Sequence, residues 1–231
     1  KHVGKIHDIY SFFQIYKKIY DLVEIKESNC NSIKYLSDNK GIKIKNCIVK
    51  KTLNYLKKNF EISKKYSIVI SKNIPIGSGL GGASSNSATI IKYIFKNELI
   101  KNYNISNFIQ LGSDIPFFLT NYDNALVTNY GANVEKLNKP KINYKIFISD
   151  IKCETKKIYN IFDCITSNKI KNFENQLIYL YTGKISRLEN DLQEACFLEH
   201  PTLKKHYDFF SKKNNVLISG SGSTLIIYEK G

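Results

Sequence analysis

The hydrophobic pattern of the first half of the chain alternates between strand-like and helix-like stretches. Apolar and aromatic residues are mixed over residues 9–25, which is typical of paired strands, and the short β-branched run at 66–71 predicts another strand. Apolar residues recur at helical spacing over 47–56 and over 84–95, so both segments are predicted to be helices. A short helix is predicted over 105–111.

The second half carries the same two kinds of pattern. Strands are predicted over residues 144–148, 217–219 and 225–228, and helices over 173–181 and 188–197. Strands and helices are interspersed without the regular rhythm of βαβ units, so the pattern predicts the α+β class. The stretch 137–143, which holds Pro140, is the natural position for a domain boundary.

Composition limits the size and the partners of the protein. The chain has 231 residues, 42% of them hydrophobic, which is enough for one large domain or two small ones. It has no run of about 18 apolar residues, so no membrane span is expected. The formal net charge is +15, yet Arg187 is the only arginine among 35 basic residues. Proteins that read nucleic acids depend on the planar fork of arginine, so this charge favours anionic metabolites as partners.

The cysteines predict free thiols. They are odd in number and none lies in a C-x-x-C spacing, which argues against a disulfide framework and against a structural zinc site. Buried thiols in a reducing compartment are expected. The five positions are Cys30, Cys47, Cys153, Cys164 and Cys196.

The segment N-I-P-I-G-S-G-L-G-G-A-S-S-N-S-A at residues 73–88 carries the candidate chemistry. A predicted strand runs into a turn with four glycines, and the turn runs into a predicted helix. Ser84, Ser85 and Asn86 are residue types that cap helix N-termini. Glycines let backbone N–H groups approach an anion, and a helix N-terminus adds unsatisfied donors and partial positive charge. The segment therefore predicts a phosphate-binding loop.

Two other phosphate-binding patterns fit this segment less well. The P-loop requires Lys-Ser/Thr after its last glycine, and A-S-S follows here. The dinucleotide pattern G-x-G-x-x-G is met by Gly77, Gly79 and Gly82, with Glu98 at a tolerable distance for a ribose contact, but no second strand is evident before Glu98. An ordinary glycine-rich turn is the remaining alternative.

The segment closely resembles the P-x-x-x-G-L-G-S-S-A-A loop of the GHMP kinases. Within that superfamily it is most similar to the 4-diphosphocytidyl-2-C-methyl-D-erythritol kinase family, whose loop is P-x-G-x-G-L-G-G-x-S-S-N-x-A. The doubled Gly81-Gly82 and Asn86 are the distinguishing residues. The resemblance implies that the phosphates of ATP are bound by Pro75, Ile76, Gly77, Ser78, Gly79, Leu80, Gly81, Gly82, Ala83, Ser84 and Ser85.

Four further segments match the family in its order and at its approximate spacing. L-G-S-D-I-P-F-F at residues 111–118 resembles L-G-A-D-V-P-F, and K-H-V-G-K-I-H-D-I at 1–9 resembles a degraded R-x-D-G-Y-H-x-[ILM] segment. N-D-L at 190–192 matches the family's N-D-L, and S-G-S-G-S-T at 219–224 resembles its C-terminal S-G-[ST]-G-[AS] loop. The resemblance therefore extends over nearly the whole chain.

Asp114 is the residue to which the resemblance assigns general-base catalysis. From the residues alone, an aspartate followed by Ile-Pro is most simply a turn or cap residue. In the family the matching aspartate takes the proton from the substrate hydroxyl, which attacks the γ-phosphoryl group of ATP. Ser84 and Ser85 would donate hydroxyl and N–H groups to the β- and γ-phosphates, with Mg²⁺ bridging the phosphate oxygens and no protein ligand to the metal predicted.

For the substrate, the resemblance implies contacts from His7, Asn86, Thr155 and Tyr159, with Tyr159 stacked on cytosine. From the sequence alone, Tyr159 would be a core or surface tyrosine and His7 a loop histidine. The family's second stacking aromatic is Ile6 here. The family's P-A-K-[IL]-N segment, whose lysine pairs with the catalytic aspartate, would precede the first residue. The chain is therefore expected to be either a fragment or a reduced enzyme.

The resemblance implies a two-domain α+β GHMP kinase fold. Residues 1–139 would form a ribosomal protein S5 domain 2-like, ATP-binding half, residues 140–231 the GHMP C-terminal, substrate-side half, and the active site would lie in the cleft. The implied reaction is ATP-dependent phosphorylation of the 2-hydroxyl of 4-diphosphocytidyl-2-C-methyl-D-erythritol, in the non-mevalonate (MEP) pathway of isoprenoid and terpenoid biosynthesis.

The expected partner is that small molecule, and no binding to nucleic acid or to a membrane is expected. The protein is expected to be a monomer or a homodimer. A bacterial-type cytoplasm is the expected location, with a plastid-type organelle as the alternative. Other functions stay open: a GHMP kinase acting on homoserine or mevalonate, a non-catalytic GHMP-fold nucleotide-binding protein and, last, a nucleotide-dependent oxidoreductase.

Overall fold

The computed structural model describes residues 7–38, 40–44, 47–96, 104–138, 143–165, 173–182 and 184–229. The chain divides into two compact units, Lys1–Ile74 with Gly81–Asn138, and Pro75–Leu80 with Lys139–Gly231. A short segment of the first half therefore packs with the second unit. The predicted domain boundary after residue 139 falls outside the described residues and stays a prediction.

The described part of the first unit contains two sheets and several helices. Its elements in chain order are β1 (Ser11–Gln14), β2 (Leu22–Ser28), β3 (Ser32–Ser37), β4 (Lys40–Ile42), α1 (Ile48–Phe60), β5 (Lys65–Ser71), α2 (Gly82–Ile94), a 3₁₀ helix (Ile105–Gln110), α3 (Ile115–Leu119), β6 (Asn124–Thr128), a 3₁₀ turn (Asn129–Gly131) and β7 (Asn133–Lys136).

The larger sheet of this unit has the strand order β2-β5-β3-β4. It is mixed, because β5 pairs antiparallel with β2 and parallel with β3. Alternate residues of β5, namely Tyr66, Ile68 and Ile70, are buried, so one face of the strand lies in the core as the period-2 pattern requires. This face packs in one cluster with residues of α1 and α2, among them Val49 and Ile90.

Helix α1 confirms the helix predicted over residues 47–56. Cys47 caps it, with its Sγ accepting a hydrogen bond from Lys50 N–H at 3.3 Å. The periodic apolar positions Val49, Leu53 and Leu56 are buried, which explains why the hydrophobic pattern located the helix correctly.

Residues 9–25 contain two strands as predicted, but the prediction that they pair with each other is wrong. Strand β1 pairs antiparallel with β6, in a sheet of order β1-β6-β7, whereas β2 pairs with β5. Each strand buries its own apolar face in a different cluster: Phe13 packs edge-to-face on Phe117 at 5.2 Å, while Val23 and Ile25 pack with the larger sheet. Burial, rather than proximity along the chain, selects the partner.

The described part of the second unit contains β8 (Tyr144–Phe147), α4 (Thr155–Ile165), α5 (Phe173–Tyr181), a 3₁₀ turn (Ile185–Arg187), α6 (Gln193–Glu199), α7 (Pro201–Ser211), β9 (Asn214–Ile218) and β10 (Leu225–Glu229). The strands form an antiparallel sheet of order β8-β10-β9. Its core includes Ile158, Leu203 and Leu225, all fully buried.

The predicted strands of this half and the helix over 173–181 are present. The helix predicted over 188–197 begins only at Gln193, and α4 and α7 were not predicted. The mixture of helices and sheets confirms the α+β class. None of the helices in the described ranges is long and apolar enough to cross a membrane.

Candidate active site

The glycine-rich segment is divided after Leu80 between the two units. The part that belongs to the second unit, Pro75–Leu80, uses its carbonyl oxygens to bond with backbone and side-chain donors of that unit. These hydrogen bonds run from Cys153 N to Gly77 O (2.9 Å), from Thr224 N to Ser78 O (3.0 Å) and from Ser219 Oγ to Gly79 O (2.9 Å). Within this part Ser78 is buried, whereas Pro75 and Ile76 are exposed.

Gly79 brings the two glycine loops of the sequence into backbone contact. Its φ of +74° lies in the left-handed region, and a Cβ placed on it would lie 2.2 Å from Ser219 O and 2.7 Å from Gly222 O. No side chain fits there. The S-G-S-G-S match and the glycine-rich segment, far apart in the sequence, thus form one structure.

The N-D-L match also contributes to this structure. Asn190 Nδ2 donates hydrogen bonds to Ile218 O and Gly220 O, both at 2.8 Å, so this side chain fixes the C-terminal glycine loop. The motif is weak as a sequence signal, and the structure shows what its asparagine does.

Helix α2 begins at Gly82, two residues before the predicted start. Gly81 is its N-cap, with a φ of +66° and no side-chain cap, and Ser85 N–H donates to Gly81 O at 2.9 Å. The N–H groups of the first turn have no acceptor within the helix. The turn contains no acidic residue. The helix start therefore offers hydrogen-bond donors and partial positive charge to an anion.

The prediction that Ser84, Ser85 and Asn86 cap this helix is wrong, because the earlier start places all three inside it. Ser85 Oγ donates to a carbonyl oxygen of the preceding turn at 3.0 Å. Ser84 Oγ lies 3.7 Å from the point that a Cβ on Gly112 would occupy, so this hydroxyl faces the L-G-S-D segment. Asn86 is buried and donates to Asp21 Oδ2 at 2.9 Å. Ala83 is exposed at the helix surface.

Asp114 lies beside the start of α2. It precedes α3, whose first turn holds Pro116, and its Oδ2 is 3.9 Å from the point that a Cβ on Gly81 would occupy. The same point lies only 2.9 Å from the ring of Phe118, so a residue larger than glycine would displace the aromatic side chain next to this carboxylate. The fold thus joins the L-G-S-D match to the helix start of the glycine-rich segment.

The environment of Asp114 favours its protonated form. Burial raises the pKa of its carboxyl group above the ordinary aspartate value, and the hydrogen bond from Ser113 Oγ to Asp114 Oδ1, at 3.2 Å, opposes part of that rise. A carboxylate with a raised pKa is a stronger base than an exposed one.

The N-terminal segment approaches the Asp114 loop through two contacts. Asp8, next to His7, accepts a hydrogen bond from Tyr130 N–H at 3.2 Å. Gly131, with a φ of +93°, packs so closely on Ser113 that a Cβ would lie 2.1 Å from Ser113 O. The structure therefore brings the segment of His7 toward Asp114, while Ile6 lies outside the described residues.

Sequence reasoning missed a buried cluster around Asp21. The Asp21 side chain is 1% exposed, and its carboxylate forms an ion pair with Nζ of Lys72, whose side chain is 7% exposed. It also accepts hydrogen bonds from the N–H groups of Asn73 and Ile74, both at 2.8 Å, and from Asn86. Asp21 thereby ties the end of β5 to α2. The available signal was a single acidic residue in the apolar run I-Y-D-L-V.

In the second unit, Thr155 and Tyr159 lie on α4, one turn apart. Thr155 is exposed, and its Oγ1 is 3.0 Å from Ser221 Oγ in the C-terminal glycine loop. Tyr159 is half-buried and packs against the core of this unit. The helix thus connects the glycine loop with the predicted stacking residue.

Comparison with known proteins defines the class. Residues 47–121, from the cap of α1 to just beyond α3, match the family described as GHMP kinases N terminal domain. A crystal structure of 4-(cytidine 5'-diphospho)-2C-methyl-D-erythritol kinase superposes with a TM-score of 0.68 at 22% identity, covering 91% of this chain and 77% of that one. A homoserine kinase from Cytophaga hutchinsonii gives a TM-score of 0.61 at 19% identity, covering 90% and 76%. The fold is that of the GHMP kinases.

Curated relatives narrow the class to one family. The 4-diphosphocytidyl-2-C-methyl-D-erythritol kinase of Ureaplasma parvum is 37% identical over 226 residues, covering 95% of this chain and 85% of the relative. The enzyme of that name from Campylobacter jejuni is 31% identical over 240 residues, covering 96% and 91%. The chain belongs to the 4-diphosphocytidyl-2-C-methyl-D-erythritol kinase family, which confirms the resemblance found in its motifs.

Proposed function

We propose that this kinase transfers the γ-phosphoryl group of ATP to the 2-hydroxyl of 4-diphosphocytidyl-2-C-methyl-D-erythritol, a step of the MEP route to isoprenoids. The relatives' names support the substrate. The single observation that carries the chemistry is the position of Asp114, a carboxylate with a raised pKa beside an uncapped helix start.

The phosphates of ATP fit the glycine-rich segment. Gly79 and Gly81 have left-handed φ angles, and the space that a Cβ would need at either residue is already filled. These close contacts require glycine at both positions, and the first turn of α2 supplies N–H groups that have no acceptor within the helix and that an anion can bind. In this proposal the phosphates are assigned to Pro75–Leu80 and to Gly81 to Ser85, and Ser84 and Ser85 contribute hydroxyl groups.

Mg²⁺ would neutralise charge on the phosphate oxygens. Within the described ranges there is no group of three His, Cys, Asp or Glu side chains that could hold a metal ion. In kinases the ion is usually held by substrate phosphates, water and one or two carboxylates. We assign it to the phosphates and name no protein ligand.

In this proposal Asp114 acts on the hydroxyl group that accepts the phosphoryl group. Asp114 accepts the proton of the 2-hydroxyl as the oxygen bonds to the γ-phosphorus, and ADP leaves with the electron pair of the broken bond. Most of the rate enhancement in such transfers comes from positioning and charge stabilisation, to which the N–H groups at the start of α2 contribute. The substrate itself is assigned to His7, Asn86, Thr155 and Tyr159.

Replacement of the base tests this assignment directly. Asp114→Asn keeps the shape of the side chain but cannot accept the proton, so kcat should fall by about 10²-fold or more. Asp208→Asn, which alters an exposed carboxylate paired with Lys204 on α7, is the matched control and should leave kcat unchanged. Production of ADP measures both. Near-normal turnover in the Asp114 variant would remove it from the mechanism.

The substrate is tested by calorimetric titration with 4-diphosphocytidyl-2-C-methyl-D-erythritol in the presence of a non-hydrolysable ATP analogue. Loss of cytosine stacking in Tyr159→Ala should weaken binding by about 1–3 kcal/mol without affecting the analogue. Tyr181→Ala, at a 47% exposed tyrosine of the same unit, is the control. If the analogue binds but the cytidyl compound does not, the proposed substrate is wrong, and homoserine and mevalonate become the next compounds to titrate.

A further inference from the structure

Two cysteines of the second unit lie in contact beneath its glycine loops. The Sγ atoms of Cys153, before α4, and Cys196, on α6, are 3.7 Å apart. Cys196 is fully buried, whereas Cys153 keeps 5% of its surface exposed. The other three cysteines are more exposed, and the proposed reaction uses none of the five.

This pair contacts the glycine loops at two points. Cys153 N–H donates to Gly77 O at 2.9 Å, so the backbone of this cysteine is bonded to the glycine-rich segment. A Cβ on Gly222 would lie 2.6 Å from Cys196 Sγ and 3.1 Å from Cys153 Sγ, so the C-terminal loop rests on both sulfur atoms. Gly222 O in turn lies against Gly79. A change in the sulfur pair must therefore reach both loops.

We propose that Cys153 and Cys196 form a reversible oxidation site, at which a peroxide converts the two thiols into a disulfide. Cys153 thiolate attacks one peroxide oxygen and becomes a sulfenic acid, with release of water. The sulfur of Cys196 then attacks Cys153 Sγ, which forms the S–S bond and releases a second water. Overall, two thiols and one hydrogen peroxide give one disulfide and two waters.

The roles of the two thiols follow from their surroundings. Cys153 is the less completely buried of the two, 5% exposed against 0% for Cys196, so we assign the first reaction with peroxide to it. A hydrogen bond from Cys196 lowers the pKa of Cys153, whereas the same bond and burial raise the pKa of Cys196. Cys153 is therefore the attacking thiol and Cys196 the resolving one.

Oxidation should disturb the glycine loops. Bond formation brings the sulfur atoms from 3.7 Å to about 2.05 Å, and Cys153 must move with its hydrogen bond to Gly77. Misplacement of this order in a positioning element costs about 10²-fold in turnover. That consequence rests on the proposed function, whereas the cross-link itself does not.

The test uses the chain with the exposed thiols Cys30 and Cys164 changed to serine. After hydrogen peroxide, denaturation and alkylation, the intact mass should show two alkylatable thiols fewer, and digestion should give one linked peptide pair, Cys153 with Cys196. Kinase turnover in the same sample should fall about 10²-fold and recover with dithiothreitol. The unsubstituted chain, digested in the same way, provides the linkage if the serine variant does not fold.

Cys196→Ser is the control that separates the proposed disulfide from a general effect of oxidation. This variant should give no linked pair. The sulfenic acid formed on Cys153 should instead persist and react with a reagent specific for sulfenic acids. Free alkylation of both thiols after peroxide, or a linkage that involves Cys47, would overturn the proposal. A linked pair with unchanged turnover would overturn the coupling to the glycine loops.

Discussion

The buried ion pair of Asp21 and Lys72 predicts a large loss of stability when Asp21 is changed to Asn. The amide has the same shape, but its nitrogen replaces one carboxylate oxygen. If the nitrogen takes the place of Oδ2, it faces the donors of Lys72 and Asn86; in place of Oδ1, it faces the N–H groups of Asn73 and Ile74. Either orientation leaves donors opposed to donors and Lys72 without its counter-charge.

The magnitude follows from burial. Removal of one partner from a buried ion pair costs about 3–5 kcal/mol, because the remaining charge is left uncompensated. That is a substantial share of a typical total of about 5–15 kcal/mol. The exposed pair of Lys17 and Asp123, at 2.9 Å and with side chains 70% and 62% exposed, provides the contrast. Asp123→Asn should cost only about 0–1 kcal/mol.

Urea unfolding followed by far-UV circular dichroism measures both variants, since the chain contains no tryptophan. Native-state hydrogen exchange distinguishes the two orientations, because the amides of Asn73 and Ile74 donate to Asp21 Oδ1 and lose their acceptor only when the new nitrogen takes that position. A cost below about 1 kcal/mol for Asp21→Asn would refute the reasoning from burial.

Two further predictions concern the glycine loop and the base. Gly79→Ala forces a Cβ to 2.2 Å from a carbonyl oxygen and should lower stability by at least about 1–3 kcal/mol in thermal or urea unfolding. Gly41→Ala, with nothing within 4 Å, should not, and equal effects would contradict the steric argument. Burial raises the pKa of Asp114 in the folded state above its unfolded-state pKa of about 3.9. The folded protein therefore loses stability as pH rises from the unfolded-state pKa through the folded-state pKa, because the buried side chain becomes charged. Asp114→Asn should therefore melt higher than the parent above that window and equally below it, and a melting-temperature difference independent of pH would refute the linkage.

Periodic apolar patterns predicted the elements whose burial is regular. Helix α1 and strand β5 bury residues at spacings that match their periods, so both could be located from the sequence. The pairing of the strands could not be predicted in this way, because the choice of β6 as the partner of β1 depends on an aromatic contact between distant residues, Phe13 and Phe117.

The candidate site likewise contains features that the sequence predicts and features that it does not. The glycine content and the Asp114 segment were evident as motifs, but the helix start was placed two residues late. The error has a physical cause: serines are good caps, yet a left-handed glycine at position 81 starts the helix without any side-chain cap. Asp21 was missed because a single acid among apolar residues does not reveal its partners along the sequence.

The assignment of Pro75–Leu80 to the second unit has a consequence for how the polypeptide is made. Gly79 and Ser219, which bond directly, are 140 residues apart in the chain. During synthesis, the glycine segment leaves the ribosome long before the residues that complete its hydrogen bonds exist. The C-terminal half, expressed alone, would lack an inner piece of its own structure. No single cleavage separates the two units intact, and circular permutation does not help, because their four segments alternate along the chain. A bisected version of this enzyme would need residues 75–80 cut out of the first part and joined to the C-terminal part.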